Sequence, residues 1–185
     1  MTDISESTAQ KKIKVARQSL YAALIITIIK ILAAYFSGSL GVLSEVFNSA
    51  IDIFVCIVTI ISIKYSSRPP DEDHNYGHEK VENFSALFQV FILFITSAYI
   101  IYEAVNRLFL DKNHEVKVTI WIFIALIISM VIDLYRARAL RKIASETKSN
   151  ALEADALHFS SDILSSSVVI IGLLFTYFGV SKNAD

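Results

Sequence analysis

LGVLSEVFNSAIDIFVCIVTIISI, residues 40–63, is the stretch on which the fold turns. It is long enough to cross a hydrocarbon core as a helix, which takes about 20 mostly apolar residues, yet Glu45, Asn48 and Asp52 stand inside it. In lipid the backbone has no water to bond to, so such a segment must be helical. An acid at the centre of the helix costs at least about 2.5 kcal/mol, so it is expected to face a protein interior, a water-filled cavity or a bound ion. A second stretch of the same kind, ALHFSSDILSSSVVIIGLLFTYFGV at 156–180, carries His158 and Asp162. Three further apolar runs, 20–36, 84–102 and 118–135, bring the spans to five. Hydrophobic residues make up 54% of the chain, with only 2 Pro and 5 Gly, and mean hydropathy is +0.53; this fits poorly with a soluble fold. The expected class is all-α: a multi-spanning transmembrane helix bundle.

Basic residues orient the bundle, because Lys and Arg concentrate on the cytoplasmic side. Lys11, Lys12, Lys14 and Arg17 precede the first run, Lys64, Arg68 and Lys80 follow the second, and Arg136, Arg138, Arg141, Lys142 and Lys148 follow the fourth. The opposite side has only Arg107, Lys112, Lys117 and Lys182, three of them interleaved with Asp111 and Glu115. A cytoplasmic N-terminus follows, with residues 1–18 as a polar tail and 19–185 as the transmembrane domain. No small-residue cleavage pattern follows the first run, so that span is expected to be retained. Ser37-Gly38-Ser39 reads as a tight link that makes the first two spans an antiparallel hairpin, and Arg68-Pro69-Pro70-Asp71 ends the second. A formal net charge of −1 gives no reason to expect a nucleic-acid partner. Cys56, the single cysteine, sits in an apolar run and reads as packing.

Four polar residues form two matched pairs. Asn48 and Asp52 are spaced i, i+4 in the second span, and His158 and Asp162 repeat the spacing in the fifth. Residues four apart share one helix face, so each pair can present two ligand atoms to a single point. An acid stands three residues before each pair, giving Glu45-x2-Asn48-x3-Asp52 and Asp155-x2-His158-x3-Asp162. Two carboxylates, an imidazole and an amide oxygen balance the charge of a divalent cation and suit Mn²⁺, Fe²⁺ or Zn²⁺. Without a thiolate the set does not suit Cu(I), and the imidazole makes a Ca²⁺ or Mg²⁺ cage less natural. The competing reading is polar glue between helices, for which a charged Asp in each of two spans is a heavy cost.

These two pairs, joined by Asp71-Glu72-Asp73-His74-Asn75-Tyr76-Gly77-His78, resemble the cation diffusion facilitator family, and the similarity runs from about Ile13 to the end of the chain. The resemblance implies efflux of Zn²⁺, Fe²⁺, Mn²⁺ or related ions by proton antiport, no enzymatic activity and no resident cofactor. It also implies a homodimeric full-length form, a multi-pass position in the cell (inner) membrane, and a transport site of Asn48, Asp52, His158 and Asp162. Asp71, His74 and His78 become a second, cytoplasmic metal site, against the alternative of a solvated loop with incidental histidines. Two departures stand out. The first site position is Asn48, where the family often has Asp or His; a neutral amide carries no proton near neutral pH, and its oxygen tilts the expectation toward Mn²⁺ or Fe²⁺. The family also has a sixth span and a C-terminal cytoplasmic domain that this chain lacks, so a fragment is expected, one that does not transport unaided. The alternative is a non-transporting assembly or regulatory subunit.

Other polar residues have weaker readings. Glu45 and Asp155 either line the approach to the site or sit in the headgroup layer. Lys30 is expected in a polar interior or paired at the outer interface rather than snorkelling. Asp133 belongs with Arg136 and Arg138, Gln89 with interhelical hydrogen bonding, and Lys80 resembles a family lysine that pairs with the missing domain. His78-Glu79 begins a zinc-protease pattern, but Glu82 stands where its second histidine would fall.

Overall fold

The computed structural model describes residues 2–37, 40–72, 74–75, 77–109 and 120–177. They form five helices: α1 Thr2–Ser37, α2 Leu40–Ser66, α3 Lys80–Phe109, α4 Ile120–Thr147 and α5 Asn150–Tyr177. No strand occurs among the described residues. Glycines 38 and the neighbouring Ser39 of the expected tight link lie outside them, as do the basic and acidic residues 111–117 and Lys182.

The helices pack as a ring in the order α1, α2, α3, α5, α4, and α2 also touches α5 across its middle. The two acid-bearing helices are therefore the pair that meets in the interior. Ser19 on α1 lies 3.8 Å from Cys56 on α2, as a hairpin of antiparallel helices requires.

The bundle is polar inside and apolar outside. Tyr21, Ile28, Phe47, Phe84, Leu87, Phe94, Leu164 and Val168 are exposed, whereas Thr27, Lys30, Thr59, Gln89, Ser129, Asp133, Arg136, Asp155 and His158 are buried. A surface this apolar is tolerable only against lipid, where polar groups must instead find partners within the protein. Over the described residues, Ser7–Leu32, Val46–Ser66 and Lys80–Tyr99 are long and apolar enough on their own to cross a membrane. Helices α4 and α5 are interrupted by Asp133 and Arg136 and by Asp155, His158 and Asp162, whose polar groups turn inward. With these five helices the protein is an all-α transmembrane bundle.

All the helices run past the apolar stretches that announce them. Residues 2–18 continue α1 as helix, and Val15 and Ala16 join the buried core with Cys56, Ile63, Leu140, Leu152 and Phe159. Small residues recur there, among them Ala16, Ala23, Ala137, Ala144 and Ala156, and they let the helix backbones approach closely. The stretch after the fourth span, which reads as a charged loop, is mostly helix. A helix persists outside lipid when one of its faces packs, as Leu140 and Ala144 do here.

What joins α4 to α5 is a turn of Lys148 and Ser149. The Ser149 amide donates to the Ala144 carbonyl at 3.1 Å, and Lys148 has φ +51°, which together make the left-handed close of a Schellman motif. Glycine is the favoured residue at that position, since a Cβ is strained there. Lys148→Gly is expected to stabilise the protein by about 0.5–1 kcal/mol, a rise of about 1–4 °C in Tm measured in detergent.

Candidate metal site

Asp52, His158 and Asp162, all expected at the intramembrane site, converge. His158 Nε2 lies 3.1 Å from Asp52 Oδ1 and 3.7 Å from Asp162 Oδ2. One ligand atom from each of the three lies within 4.8 Å of the others. Ligands that share one ion at about 2.0–2.2 Å stand roughly 3–3.5 Å apart, so the spacing fits a common cation with little adjustment. His158 is buried, Asp52 and Asp162 are half-buried, and Asp162 Oδ2 has no hydrogen-bond partner among the described residues. A buried carboxylate oxygen with no donor is costly unless a cation or proton satisfies it.

Asn48 is one turn before Asp52 on α2, and its side chain is exposed. The structure gathers Asp52, His158 and Asp162, and the adjacent Ser49 has a buried hydroxyl with no hydrogen-bond partner among the described residues. The Glu45 side chain lies outside the described residues.

Beside the trio lies a network that the motif spacing does not announce. Asp155 is 0% exposed and packs inside the bundle. Thr59 Oγ1 donates to Asp155 Oδ1 at 2.7 Å, and Gln89 Nε2 donates to Thr59 Oγ1 at 2.9 Å and to Ser85 Oγ at 3.1 Å. Gln89 therefore bonds between helices as its position in the third span suggested. Arg136 is buried rather than a loop cation. Its Nη1 meets Asp133 Oδ1 at 2.7 Å, its Nε donates to Ser19 Oγ at 3.1 Å, and its guanidinium lies 3.5 Å from the centroid of the Phe159 ring. Asp133 thus pairs with Arg136 as expected, whereas Arg138 stays exposed. Phe159 in turn meets the His158 ring edge to face at 5.4 Å, so the Arg136 stack braces the imidazole. The clue was the Asp133-to-Arg136 spacing, which puts both on one face of α4. Lys30 is 9% exposed and lies in the polar interior.

The loop residues also come together. Asp71 Oδ1 lies 3.0 Å from His74 Nδ1, Asp71 Oδ2 lies 3.2 Å from His78 Nε2, and the two imidazole rings are 4.5 Å apart. Desolvation pushes the Asp71 carboxyl upward, but hydrogen bonds from the His74 ring and amide and the charges of His78 and His74 outweigh it and hold the carboxyl below the ordinary range. The three ligand atoms lie within 4.8 Å of one another, which gives the loop a second arrangement able to hold an ion. Gly77 closes this loop at φ +78°, a conformation that strains any side chain.

Comparison with known proteins converges on one family. Residues 17–185 match the cation efflux transmembrane domain. An uncharacterized transporter of Methanocaldococcus jannaschii is 35% identical over 162 residues, covering 88% of this chain and 56% of its own length. The cation-efflux pump FieF of Shewanella oneidensis is 30% identical over 167 residues, covering 89% and 55%, and that of Cronobacter sakazakii is 26% identical over 171 residues, covering 91% and 56%. The chain spans about half the length of the curated relatives it matches. With its acid-bearing helices meeting in the interior of an apolar-skinned bundle, the chain belongs to the cation efflux (cation diffusion facilitator) family, whose members are transporters and not enzymes.

Proposed function

We propose that this protein exports divalent transition-metal cations from the cytoplasm, and that Asp52, His158 and Asp162 hold the cation in the membrane. The observation that carries the reading is the meeting of α2 and α5 at these three side chains, with Asp162 Oδ2 left unpartnered. Asn48, one turn before Asp52 on α2, completes the set. Its amide oxygen favours Mn²⁺ or Fe²⁺ over strict selectivity for Zn²⁺.

Coupling to protons follows from competition. Asp52, His158 and Asp162 must be deprotonated to ligate, so cation binding releases protons and proton binding releases the cation. Alternating access is the movement of the α2–α5 pair against the other helices, which opens the site first to the cytoplasm and then to the far side. The N-terminus is cytoplasmic, the membrane is the cell (inner) membrane, and the working form is a homodimer. Asp71, His74 and His78 hold a second ion at the cytoplasmic surface.

The test is the full-length parent protein in proteoliposomes with a pH-sensitive dye inside, challenged with Mn²⁺, Fe²⁺ or Zn²⁺. Cation-dependent proton flux is expected, and Asp52→Ala is expected to remove it. Flux that survives Asp52→Ala would falsify the transport site. The neutral amide at Asn48 favours a second reading, a non-transporting assembly or regulatory subunit; that reading gains if the full-length protein binds the cation yet moves no protons.

A further inference from the structure

On the outer face of the bundle, α4 and α5 enclose a groove of about 370 Å³ whose walls change character along its length. One end is lined by Arg138, Arg141 and Lys142, the other by Leu134 and Ile163. No acidic side chain is in the described lining. Two buried or half-buried cations nearby are matched by acids: Lys12 meets Glu82 at 2.8 Å and Arg136 meets Asp133 at 2.7 Å. Arg138, Arg141 and Lys142 are exposed, and none has an acidic partner among the described residues. Arg141 is nevertheless held in place, since its Nη2 donates to Ser160 Oγ across the groove at 3.3 Å.

The apolar wall continues into the membrane. Going back along α4 at helical spacing, Leu134 is followed by Val131 and Ile127, which are 44% and 48% exposed. With a rise of 1.5 Å per residue, Arg138 and Arg141 stand roughly 5 and 9 Å beyond Tyr135, where the apolar run ends, which is the depth of the headgroup layer. Three cations at headgroup depth above an apolar stripe along α4 match the two ends of one kind of molecule.

We propose that this groove binds an anionic phospholipid, its phosphate held by Arg138, Arg141 and Lys142 and an acyl chain lying along Leu134 and Ile163. A soluble anion has no use for the apolar wall, and a zwitterionic lipid leaves the cations unneutralised. The site is separate from the intramembrane metal site and does not depend on the transport reading.

Native mass spectrometry of the detergent-solubilised chain tests it, with dioleoyl phosphatidylglycerol, dioleoyl phosphatidylcholine and inorganic phosphate as probes. Phosphatidylglycerol is expected to bind at least about tenfold more tightly than the zwitterion with the same chains. Arg138→Gln with Arg141→Gln is expected to weaken it about thirtyfold, the combined effect of two surface cations. Lys14→Gln with Lys64→Gln removes the same charge from exposed positions elsewhere and is expected to leave the preference intact. Ser160→Trp fills the groove without changing charge and is expected to lower phosphatidylglycerol binding as well, with helical content by circular dichroism unchanged. Equal binding of the two lipids by the unaltered chain overturns the proposal, as does equal weakening by the two charge-removing pairs. Displacement of the lipid by inorganic phosphate at matched concentration shows a soluble-anion site and overturns it too.

Discussion

Asp162→Ala is expected to abolish cation binding at the intramembrane site, a loss of at least about a hundredfold by isothermal titration with Mn²⁺ or Zn²⁺. Removing a group that merely orients a ligand costs about 10–100-fold in metal affinity, and Asp162 stands closer than that: its Oδ2 is buried, unpartnered and 3.7 Å from His158 Nε2. Thermal melting gives an independent view. A cation present at a hundred times its Kd stabilises the unaltered protein by about 2.7 kcal/mol, and Asp162→Ala is expected to lose that increment. Without the cation the variant is expected to melt no lower than the unaltered protein, because a carboxylate that lacked a donor has been removed. Polar glue between helices gives the opposite pair of results, a lower melting temperature without cation and an unchanged increment with it.

Glu82→Ala is expected to be the most damaging single change to the fold. Glu82 begins α3 and is buried, and its two oxygens accept from three other elements: Lys12 Nζ at 2.8 Å, Ser66 Oγ at 3.0 Å and Ser149 Oγ at 2.5 Å. It thus ties α1, the end of α2 and the α4–α5 turn to α3. Alanine strands a mostly buried ammonium and two hydroxyls at once. Breaking a buried ion pair costs about 3–5 kcal/mol; Lys12 keeps 15% of its side-chain surface exposed, so about 2–4 kcal/mol is expected here once that solvation is allowed for. Tm in detergent should fall by roughly 5–15 °C. Glu82→Gln, which keeps one acceptor oxygen for the hydroxyls, is expected to fall between, and Lys12→Met is expected to cost less than Glu82→Ala. Equal melting of Glu82→Ala and the unaltered protein would show that the tie is incidental.

Much of the intramembrane site was legible because its pattern is local. Asp52 in one apolar run and the His158–Asp162 pair in another announce their positions, since i, i+4 spacing sets a shared helix face whatever the helix packs against. The same local logic identified the apolar spans and the basic ends, and it put Asp133 beside Arg136. It misled where charge was taken as a sign of exposure. Arg136 reads as one more loop cation, yet it is buried between α1, α2 and α5, because an arginine flanked by Asp133, Ser19 and the Phe159 ring has its donors and its planar face satisfied inside.

What the amino-acid order determined by itself is the set of helices, the depth at which each acid lies and the periodicity that groups it with its neighbours. The rotation of one helix against another was decided only in the tertiary structure. That rotation brings Asp52 to His158 across 106 positions of chain. It also joins Glu82 to Lys12 and Ser149, and opens a basic groove between α4 and α5. Each of these rests on contacts between distant segments, whose geometry is chosen by close packing of the whole bundle rather than by any spacing along one helix.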